Sequence, residues 1–187
     1  YLDLVSMSGG ASDSVNVLIG NGDGTLKARA TYYTGGGATG FVSDIAVGDL
    51  DGDGNLDMAV GDTDDNIEIF YGNGDGSFQS AVHYGVGDKP MSVAIDDLNG
   101  DEKPDLAVAN SESKASIDNV SILLGNGDGS FQSAVNYDAG DHPRSVAIGD
   151  LNGDAKPDLA VANNYSHNVS VLLGNGDGSF QSAVHYD

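Results

Sequence analysis

A repeat of about 50 residues runs through the whole sequence and limits the folds that the chain can adopt. The string GNGDG occurs at 20–24, 72–76, 125–129 and 174–178. An acid-rich string precedes the last three copies: DLDGDGNLD at 49–57, DLNGDEKPD at 97–105 and DLNGDAKPD at 150–158. An apolar segment follows each acid-rich string, and LDLVS near the start matches its end, with Asp3 in the place of Asp57. Repetition at this period indicates stacked units, because one small unit cannot bury its own apolar faces.

Each unit is predicted to form four short β-strands and no helix. In the last unit the strands are SVAIGD (145–150), DLAVAN (158–163), NVSVLLG (168–174) and SFQSAVHY (179–186). β-Branched residues are frequent in the first and third strands, and no apolar stripe with helical spacing persists. The Asn-Gly and Asp-Gly steps of GNGDG predict a hairpin turn between strands three and four. We interpret its aspartates as turn residues that tolerate positive φ.

Four-stranded units at this period are typical of the blades of a β-propeller. We therefore predict an all-β chain that forms a single propeller, or a fragment of one, over residues 1–187. The expected blades are 1–33, which is incomplete, 34–85, 86–138 and 139–187. Large apolar residues that recur at one phase of the repeat are interpreted as packing between blades. These are Leu50, Leu98 and Leu151, Phe78, Phe131 and Phe180, and Tyr32, Tyr84, Tyr137 and Tyr186.

The charge balance of the chain excludes several classes of partner. The sequence has 29 Asp+Glu against 7 Lys+Arg, for a formal net charge of -22. Such a surface repels nucleic acid and anionic lipid and attracts cations. The chain has no cysteine, which excludes disulfides and thiol chemistry. No apolar run approaches the roughly 18 residues of a membrane-spanning helix, so membrane insertion is not expected.

The acid-rich strings have the spacing of a loop that gathers oxygen atoms around one hard cation. Oxygen-bearing side chains stand at loop positions 1, 3, 5 and 9, and the carbonyl of position 7 can supply a further ligand. Calcium takes six to eight oxygen ligands at about 2.3–2.6 Å. Plain Asp/Asn/Gly turns are the alternative, but carboxylates crowded without a counter-ion would repel one another. Three calcium ions are therefore expected.

Other metal sites fit the loops less well. An EF-hand needs an acid at position 12 followed by a helix, and valine stands there in all three loops. Zinc is disfavoured because the chain has no cysteine and the loops have no histidine. Magnesium prefers few carboxylates and several retained waters. Position 6 is Gly54 in the first loop but Glu102 and Ala155 in the others, so some strain is expected at the second and third sites.

The unit SVAIGDLNGDAKPDLAVANN, followed by VSVLLGNGDGSFQSAVHY, resembles the FG-GAP/VCBS-type repeat, which is related to the blades of integrin α-subunit propellers. The resemblance covers essentially the whole chain and depends most on the acidic loop, whereas the literal FG and GAP strings are absent. It implies a calcium-bearing β-propeller that is extracellular or at the cell surface. By position, it implies the calcium ligands Asp49, Asp51, Asp53, Asn55 and Asp57; Asp97, Asn99, Asp101, Lys103 and Asp105; and Asp150, Asn152, Asp154, Lys156 and Asp158, with position 7 acting through its carbonyl.

The number of units bears on assembly. Propellers of this family usually close with six to eight blades, and the sequence holds three complete units and one incomplete unit. We therefore expect either a fragment of a larger propeller or a homo-oligomer. Two copies would give about eight blades.

The expected function is a non-catalytic binding module for adhesion or for recognition of a carbohydrate or protein. Segments that differ most between units should lie opposite the acidic loops, and such variable faces usually bind ligands. The mixed-charge residues expected there are Asp88, Lys89, Asp141, His142 and Arg144. The alternatives are the scaffold of a secreted polysaccharide lyase or hydrolase, and a structural spacer in a surface protein. No catalytic residue is assigned, because no Ser/His/Asp arrangement is recognisable.

Overall fold

The computed structural model describes residues 3–8, 13–34, 41–62, 64–111 and 119–187, and the regular elements in these ranges are all β-strands. Parts of the variable segments predicted from the sequence, at 9–12, 35–40, 63 and 112–118, lie outside the described residues. The strands are β1 (Leu4–Ser8), β2 (Ser14–Leu18), β3 (Ala30–Tyr33), β4 (Val42–Gly48), β5 (Asp57–Asp62), β6 (Asn66–Phe70), β7 (Val82–Gly85), β8 (Pro90–Asp96), β9 (Asp105–Asn110), β10 (Asn119–Leu123), β11 (Val135–Asp138), β12 (Pro143–Gly149), β13 (Asp158–Asn163), β14 (Asn168–Leu172) and β15 (Val184–Tyr186).

The strands form four antiparallel sheets, and each sheet follows chain order. Sheet 1 contains β1–β3, sheet 2 contains β4–β7, sheet 3 contains β8–β11 and sheet 4 contains β12–β15. In the three complete sheets the first two strands pair in one register, in which the last residue of the first strand faces the aspartate that opens the second. The predicted four-stranded unit is therefore confirmed, and sheet 1 has no counterpart of β4 among the described residues.

Three of the four strands of the last unit have boundaries that differ from the sequence prediction, and the third strand ends at Leu172 rather than at Gly174. The fourth strand of the last unit contains Val184–Tyr186, whereas the prediction began it at Ser179. Phe180 forms an isolated bridge with Gly174 instead, because this stretch only closes the hairpin. The first strand begins earlier than predicted, at Pro143, and a bulge follows it before Ser145. Proline is tolerated there because the first residue of a strand need not donate to the ladder.

Apolar side chains fill the space between successive sheets. Between sheets 3 and 4, for example, Val120 and Ile122 of β10 pack with Leu159 and Leu172 of the next unit. The phenylalanine after GNGDG meets the tyrosine of the preceding unit edge to face in the three pairs Tyr32–Phe78, Tyr84–Phe131 and Tyr137–Phe180, with ring centroids 5.4, 5.3 and 5.5 Å apart. This confirms the predicted packing role for these six rings and for Leu50 and Leu98, which are buried.

For Leu151 and Tyr186 the described residues do not test this prediction. Both side chains are largely exposed, since no described sheet packs against the face of sheet 4 on which they lie.

The first strands of the complete sheets lie next to one another. Strand β8 contacts both β4 and β12. Asp44 accepts a hydrogen bond from the backbone N–H of Val93 at 3.0 Å, and Ser92 accepts one from the backbone N–H of Val146 at 3.4 Å. The acidic loops, which follow these strands, are thereby brought to one end of the stack.

A polar network crosses sheets 3 and 4 near the end opposite the acidic loops. In sheet 4 the Asn163 amide donates to the Ser170 hydroxyl at 2.7 Å, and that hydroxyl lies 2.9 Å from Nδ1 of His185. Sheet 3 repeats the network with Asn110, Ser121 and Asn136. Such networks give partners to the buried amide N–H and hydroxyl groups of these sheets, whereas Oδ1 of Asn110 and Oδ1 of Asn163 accept no hydrogen bond among the described residues.

Sheet 2 replaces this network with ionisable groups. Asp62 and Glu68 occupy the asparagine and serine positions and are both buried, and His83 Nδ1 lies 3.5 Å from Glu68 Oε1. Burial raises the pKa of Asp62, and the charges of Asp64 and Asp13 raise it further, against a backbone hydrogen bond from Asp64 and the charge of His83, which lower it. An ionised Asp62 therefore costs folding free energy at neutral pH.

We expect Asp62→Asn to stabilise the protein at pH 7. The pKa of Asp62 is higher in the folded state than in the unfolded chain, so as the pH falls Asp62 is protonated in the native state before it is protonated in the unfolded state. The free-energy cost of its buried charge is therefore lost at low pH. The advantage of the variant should therefore shrink to nothing at about pH 3. Urea unfolding at both pH values, in the presence of chelator, measures this. The exposed Asp138→Asn is the matched control, and a variant less stable than the wild type at pH 7 would contradict the prediction.

Candidate metal centre

Each acidic loop connects the first and second strands of a complete sheet. The loop of sheet 2, for example, begins after Gly48 and ends at Asp57, which opens β5. Position 6 has a left-handed backbone in all three loops, with φ of 87° at Gly54, 64° at Glu102 and 62° at Ala155. Non-glycine residues adopt this conformation at a cost, which agrees with the strain expected at the second and third loops.

The position 1 aspartate organises the loop around its own carboxylate. In the third loop Asp150 accepts backbone hydrogen bonds from Gly153, Asp154 and Ala155 at 2.7, 3.1 and 2.9 Å. Asp97 accepts the same three bonds in the second loop, and Asp49 accepts those from Gly52 and Gly54 in the first. The bond from Ala155 is the largest of the contributions that lower the pKa of Asp150. The loop is therefore curled around an ionised carboxylate that faces inward.

The first loop brings three carboxylates together. Oxygen atoms of Asp49, Asp51 and Asp57 all lie within 4.8 Å of one another. Burial raises the pKa of Asp51, and the charges of Asp57, Asp53 and Asp49 raise it further, although a backbone hydrogen bond from Asp53 opposes them. Repulsion of this kind is relieved when a divalent cation binds between the carboxylates. The oxygen donors and their spacing fit a hard cation, so the acidic cluster could hold a metal ion.

The other predicted ligands are placed differently. Asp53 accepts hydrogen bonds from the backbone N–H and the side-chain amide of Asn55, at 2.7 and 2.8 Å, and is not one of the three clustered carboxylates. Lys103 Nζ lies 3.4 Å from Asp101, and Lys156 Nζ lies 4.0 Å from Asp154. Among the described residues, the second and third loops do not form a comparable group of three acids. Asn99 and Asn152 stand there where the first loop has Asp51.

The position 9 aspartate has a structural role that sequence reasoning missed. Asp105 is fully buried and accepts two backbone hydrogen bonds, from Leu98 at 2.9 Å and from Gly125 at 2.7 Å. It therefore ties its own loop to the GNGDG turn. Asp57 and Asp158 make the same two bonds in their units. Burial raises the pKa of Asp105, and the charges of Asp101 and Asp97 add to this, against the two hydrogen bonds.

The first unit makes the same bond to its turn. Asp3 occupies the position of Asp57 in the repeat, and it accepts a hydrogen bond from the backbone N–H of Gly20 at 2.7 Å.

The aspartates of GNGDG are turn residues, as predicted, but for another reason than positive φ. Asp75 accepts hydrogen bonds from the backbone N–H and the hydroxyl of Ser77, at 2.9 and 2.6 Å, and the hydroxyl bond is the largest cause of its lowered pKa. Positive φ is found at the flanking Gly74 and Gly76 instead. The other three turns repeat these bonds.

The turns and the acidic loops lie at the same end of the sheets, as expected. A side chain at Gly127 would contact the aliphatic part of Lys103, at 2.9 Å from its Cδ. A side chain at Gly74 would meet the Asn55 amide in the same way.

The mixed-charge residues predicted to bind a ligand lie at equivalent positions of two successive units, around the start of the first strand of each. Lys89, which follows Asp88, donates its backbone N–H to Asp65 at 3.0 Å. The next unit holds Asp141 and His142 against the segment 163–168. There the His142 ring stacks on Tyr165 with centroids 3.8 Å apart.

Arg144 lies at an open surface groove of about 490 Å³ on the face of sheet 4 that no described sheet covers. Asn164, His167 and Tyr186 also line this groove. Asn164, Tyr165 and His167 were not predicted as site residues, because loop residues that do not recur between units give no periodic signal.

Comparisons with known proteins agree with this architecture. A search of curated proteins finds no match. The crystal structure of the V. cholerae biofilm matrix protein Bap1 superposes on 97% of this chain with a TM-score of 0.56 and 19% sequence identity. The chain spans 28% of the length of that protein, so the similarity concerns the fold of one part of it. The described residues include no helix that could cross a lipid bilayer.

The repeats themselves match a family model. The model, described as an FG-GAP-like repeat, matches residues 1–60, 49–108, 97–161 and 150–187. These matches together cover the whole chain. Successive matches overlap, and each overlap contains one acidic loop. The chain therefore belongs to the FG-GAP-like repeat family.

Proposed function

We propose that this chain is a calcium-stabilised, extracellular β-propeller module for adhesion or for recognition of a carbohydrate or protein. The observation that carries the calcium part is the approach of Asp49, Asp51 and Asp57 to within 4.8 Å of one another. Three carboxylates at this distance are the donor set that a calcium ion prefers. Repetition of the loop spacing supports two further sites, at 97–105 and 150–158.

The propeller arrangement is supported by how the sheets stack. Each complete sheet places its first strand beside that of the next sheet, through the contacts of β8 with β4 and β12. Sheets arranged in this way, with four strands in chain order, resemble blades around an axis. The blades proposed are 1–33, 34–85, 86–138 and 139–187.

Adhesion or recognition is supported by the comparisons and by one surface of the chain. The chain consists of FG-GAP-like repeats, and a solved structure with a similar fold is titled as a biofilm matrix protein. A surface of aromatic, cationic and amide side chains is present near His142, Arg144 and Tyr165, and such groups suit sugars and acidic ligands. We propose these residues, with Asp88, Lys89 and Asp141, as the ligand surface.

Ion counting tests the calcium part. Equilibrium dialysis should give about three calcium ions per chain, from one ion for each loop. The double variant Asp49→Asn/Asp51→Asn should lose one ion, because it removes the charge of the first loop. Asp75→Asn, in a hairpin turn, is the matched control and should lose none. Absence of saturable calcium binding would reject the proposal.

Binding assays test the recognition part. A glycan array and immobilised matrix polysaccharides, each with calcium and with chelator, should show binding that depends on calcium. Arg144→Ala and His142→Ala should weaken it, whereas Arg29→Ala, an exposed residue of sheet 1, should not. Binding that is unchanged in both surface variants would assign the ligand to another face.

A further inference from the structure

Tyr71 differs in chemistry from the residues at its position in the other units. It directly follows β6 and precedes the GNGDG turn of sheet 2. Ile19, Leu124 and Leu173 stand at this position in the other three units. Leu124 packs against the next sheet, since a Cβ on Gly178 would lie 2.7 Å from its Cδ2. Tyr71 occupies the corresponding place between sheets 2 and 3, and it adds a hydroxyl group that the aliphatic residues lack.

The Tyr71 hydroxyl joins two successive sheets. It donates a hydrogen bond to the backbone carbonyl of Gly129, which is the last residue of the GNGDG turn of sheet 3. The Tyr71 ring packs over the same glycine, because a Cβ on Gly129 would lie 2.7 Å from Tyr71 Cε1. Both the ring and the hydroxyl of Tyr71 therefore hold this turn against sheet 2.

The same turn lies against the first acidic loop. A Cβ on Gly129 would lie 3.0 Å from Cβ of Asp51, and a Cβ on Gly52 would lie 3.8 Å from the carbonyl oxygen of Gly127. Asp51 and Tyr71 are therefore neighbours of one glycine. The turn of sheet 3 packs beside Asp51, and the hydrogen bond from Tyr71 fixes the position of that turn.

The surroundings of the Tyr71 hydroxyl keep it protonated. Burial is the largest cause of its raised pKa, and the neighbouring Tyr84 and the charges of Asp57 and Asp51 raise the pKa further. A protonated hydroxyl is a hydrogen-bond donor, so the bond to the Gly129 carbonyl is present at neutral pH. The effect of the two aspartates also shows that this hydroxyl lies near the carboxylates of the first loop.

We propose that Tyr71 is a positioning residue for the cation site of the first loop, a role that rests on the calcium binding proposed above. Asp51 lies within 4.8 Å of Asp49 and Asp57, so the three carboxylates repel one another when no cation is bound. The turn beside Asp51 restricts its side chain, and a restricted ligand loses less free energy on binding. By reciprocity, cation binding at this loop stabilises the contact between sheets 2 and 3.

Calorimetric titration with calcium tests this role. The background variant Asp97→Asn/Asp150→Asn removes the position 1 carboxylates of the other two loops, so that binding at the first loop is measured. In this background Tyr71→Phe should raise the calcium dissociation constant about two- to tenfold, the range for one hydrogen bond. Tyr71→Leu should raise it at least as much, and it should fold because leucine stands at this position in sheets 3 and 4. Tyr137→Phe, which removes a hydroxyl from β11, is the matched control and should leave the constant unchanged.

Urea unfolding in calcium and in chelator separates positioning from a purely structural role. A purely structural hydrogen bond costs Tyr71→Phe the same stability in both conditions. A positioning role makes the loss larger in calcium, by the free energy that corresponds to the change in the dissociation constant. In chains that also carry Asp49→Asn/Asp51→Asn, this difference between the two conditions should disappear.

Terbium luminescence gives a readout from the site itself. Terbium(III) binds at oxygen sites that accept calcium, and it emits light when a tyrosine close to it is excited. The chain has no tryptophan, and the first loop has Tyr71 beside it where the second and third units have leucine. Tyr71→Phe should therefore lose most of the emission that tyrosine excitation produces, whereas Tyr137→Phe should keep it.

The outcomes distinguish the role of Tyr71 from calcium binding as such. A dissociation constant that is unchanged in both Tyr71 variants would overturn the positioning role and leave calcium binding intact. An equal loss of stability in calcium and in chelator would do the same. A wild-type chain that binds no calcium would reject the proposed function together with this role.

Discussion

Asp105→Ala is expected to destabilise the protein by about 2–6 kcal/mol even when no metal ion is present, because it leaves two buried backbone N–H groups without an acceptor, at about 1–3 kcal/mol each. The two donors belong to Leu98 and Gly125, and Asp105 is fully buried between them. Domains of this size are stable by about 5–15 kcal/mol, so the loss is a large part of the total. Urea unfolding in excess chelator measures the effect without any contribution from calcium.

Asp101→Ala is the matched control for this experiment. Asp101 belongs to the same loop and carries the same charge, but it is exposed and its salt bridge to Lys103 is on the surface. In chelator its replacement should change the free energy of unfolding by no more than about 0.5 kcal/mol. Equal effects of the two substitutions would show that Asp105 acts only through its charge.

Asp105→Asn separates the hydrogen bonds from the charge. Asparagine keeps one acceptor oxygen but turns an N–H₂ group towards the second backbone donor. Its cost should therefore be smaller than that of Asp105→Ala but still measurable. A fully stable Asp105→Asn variant would contradict the two-bond role of this side chain.

Calcium removal is expected to lower the melting temperature by about 10–30 °C, because the stabilisation from three bound ions is lost. In a chain of this length, each 1 kcal/mol of lost stability lowers the melting temperature by about 2–4 °C. The estimate assumes three sites with dissociation constants of about 10⁻⁴–10⁻³ M, as in extracellular modules. At about 10 mM calcium, linkage then gives about 1.4–2.7 kcal/mol for each site. Melting curves with and without excess chelator measure the shift directly.

Two controls distinguish specific binding from general screening of the acidic surface. Sodium chloride at the same ionic strength should reproduce only a small part of the shift, and magnesium should be less effective than calcium. The double variant Asp49→Asn/Asp51→Asn should lose about a third of the calcium effect, since one of the three proposed sites is removed. A shift that sodium chloride reproduces in full would reject calcium stabilisation.

The repeated fold was largely predictable from the sequence, because each unit repeats the same alternation of apolar segments and turn residues. GNGDG located the last hairpin of each sheet, and the recurrence of Phe78, Phe131 and Phe180 identified packing between units. Strand ends were less accurate. Residues such as Phe180 have strand composition but make only one bridge, and that depends on how the hairpin closes in three dimensions.

The candidate site was predictable in its location but not in its internal geometry. Spacing alone predicted ligands at positions 1, 3, 5 and 9 of every loop. In the structure Asp49, Asp51 and Asp57 converge, whereas Asp53 bonds to Asn55. Local competition for hydrogen bonds decides this, and the order of residue types does not show it.

The sequence by itself determined the all-β repeat, the turn positions and the acidic character of three loops, because these depend on residues close together in the chain. Only the tertiary structure decided that Asp105 joins its loop to a turn 20 residues away in the sequence, and that Leu26 and Tyr186 are exposed at opposite ends of the stack. Burial is a property of neighbours that are distant in the chain. Identical positions in the repeat therefore become core residues or surface residues according to which sheet covers them.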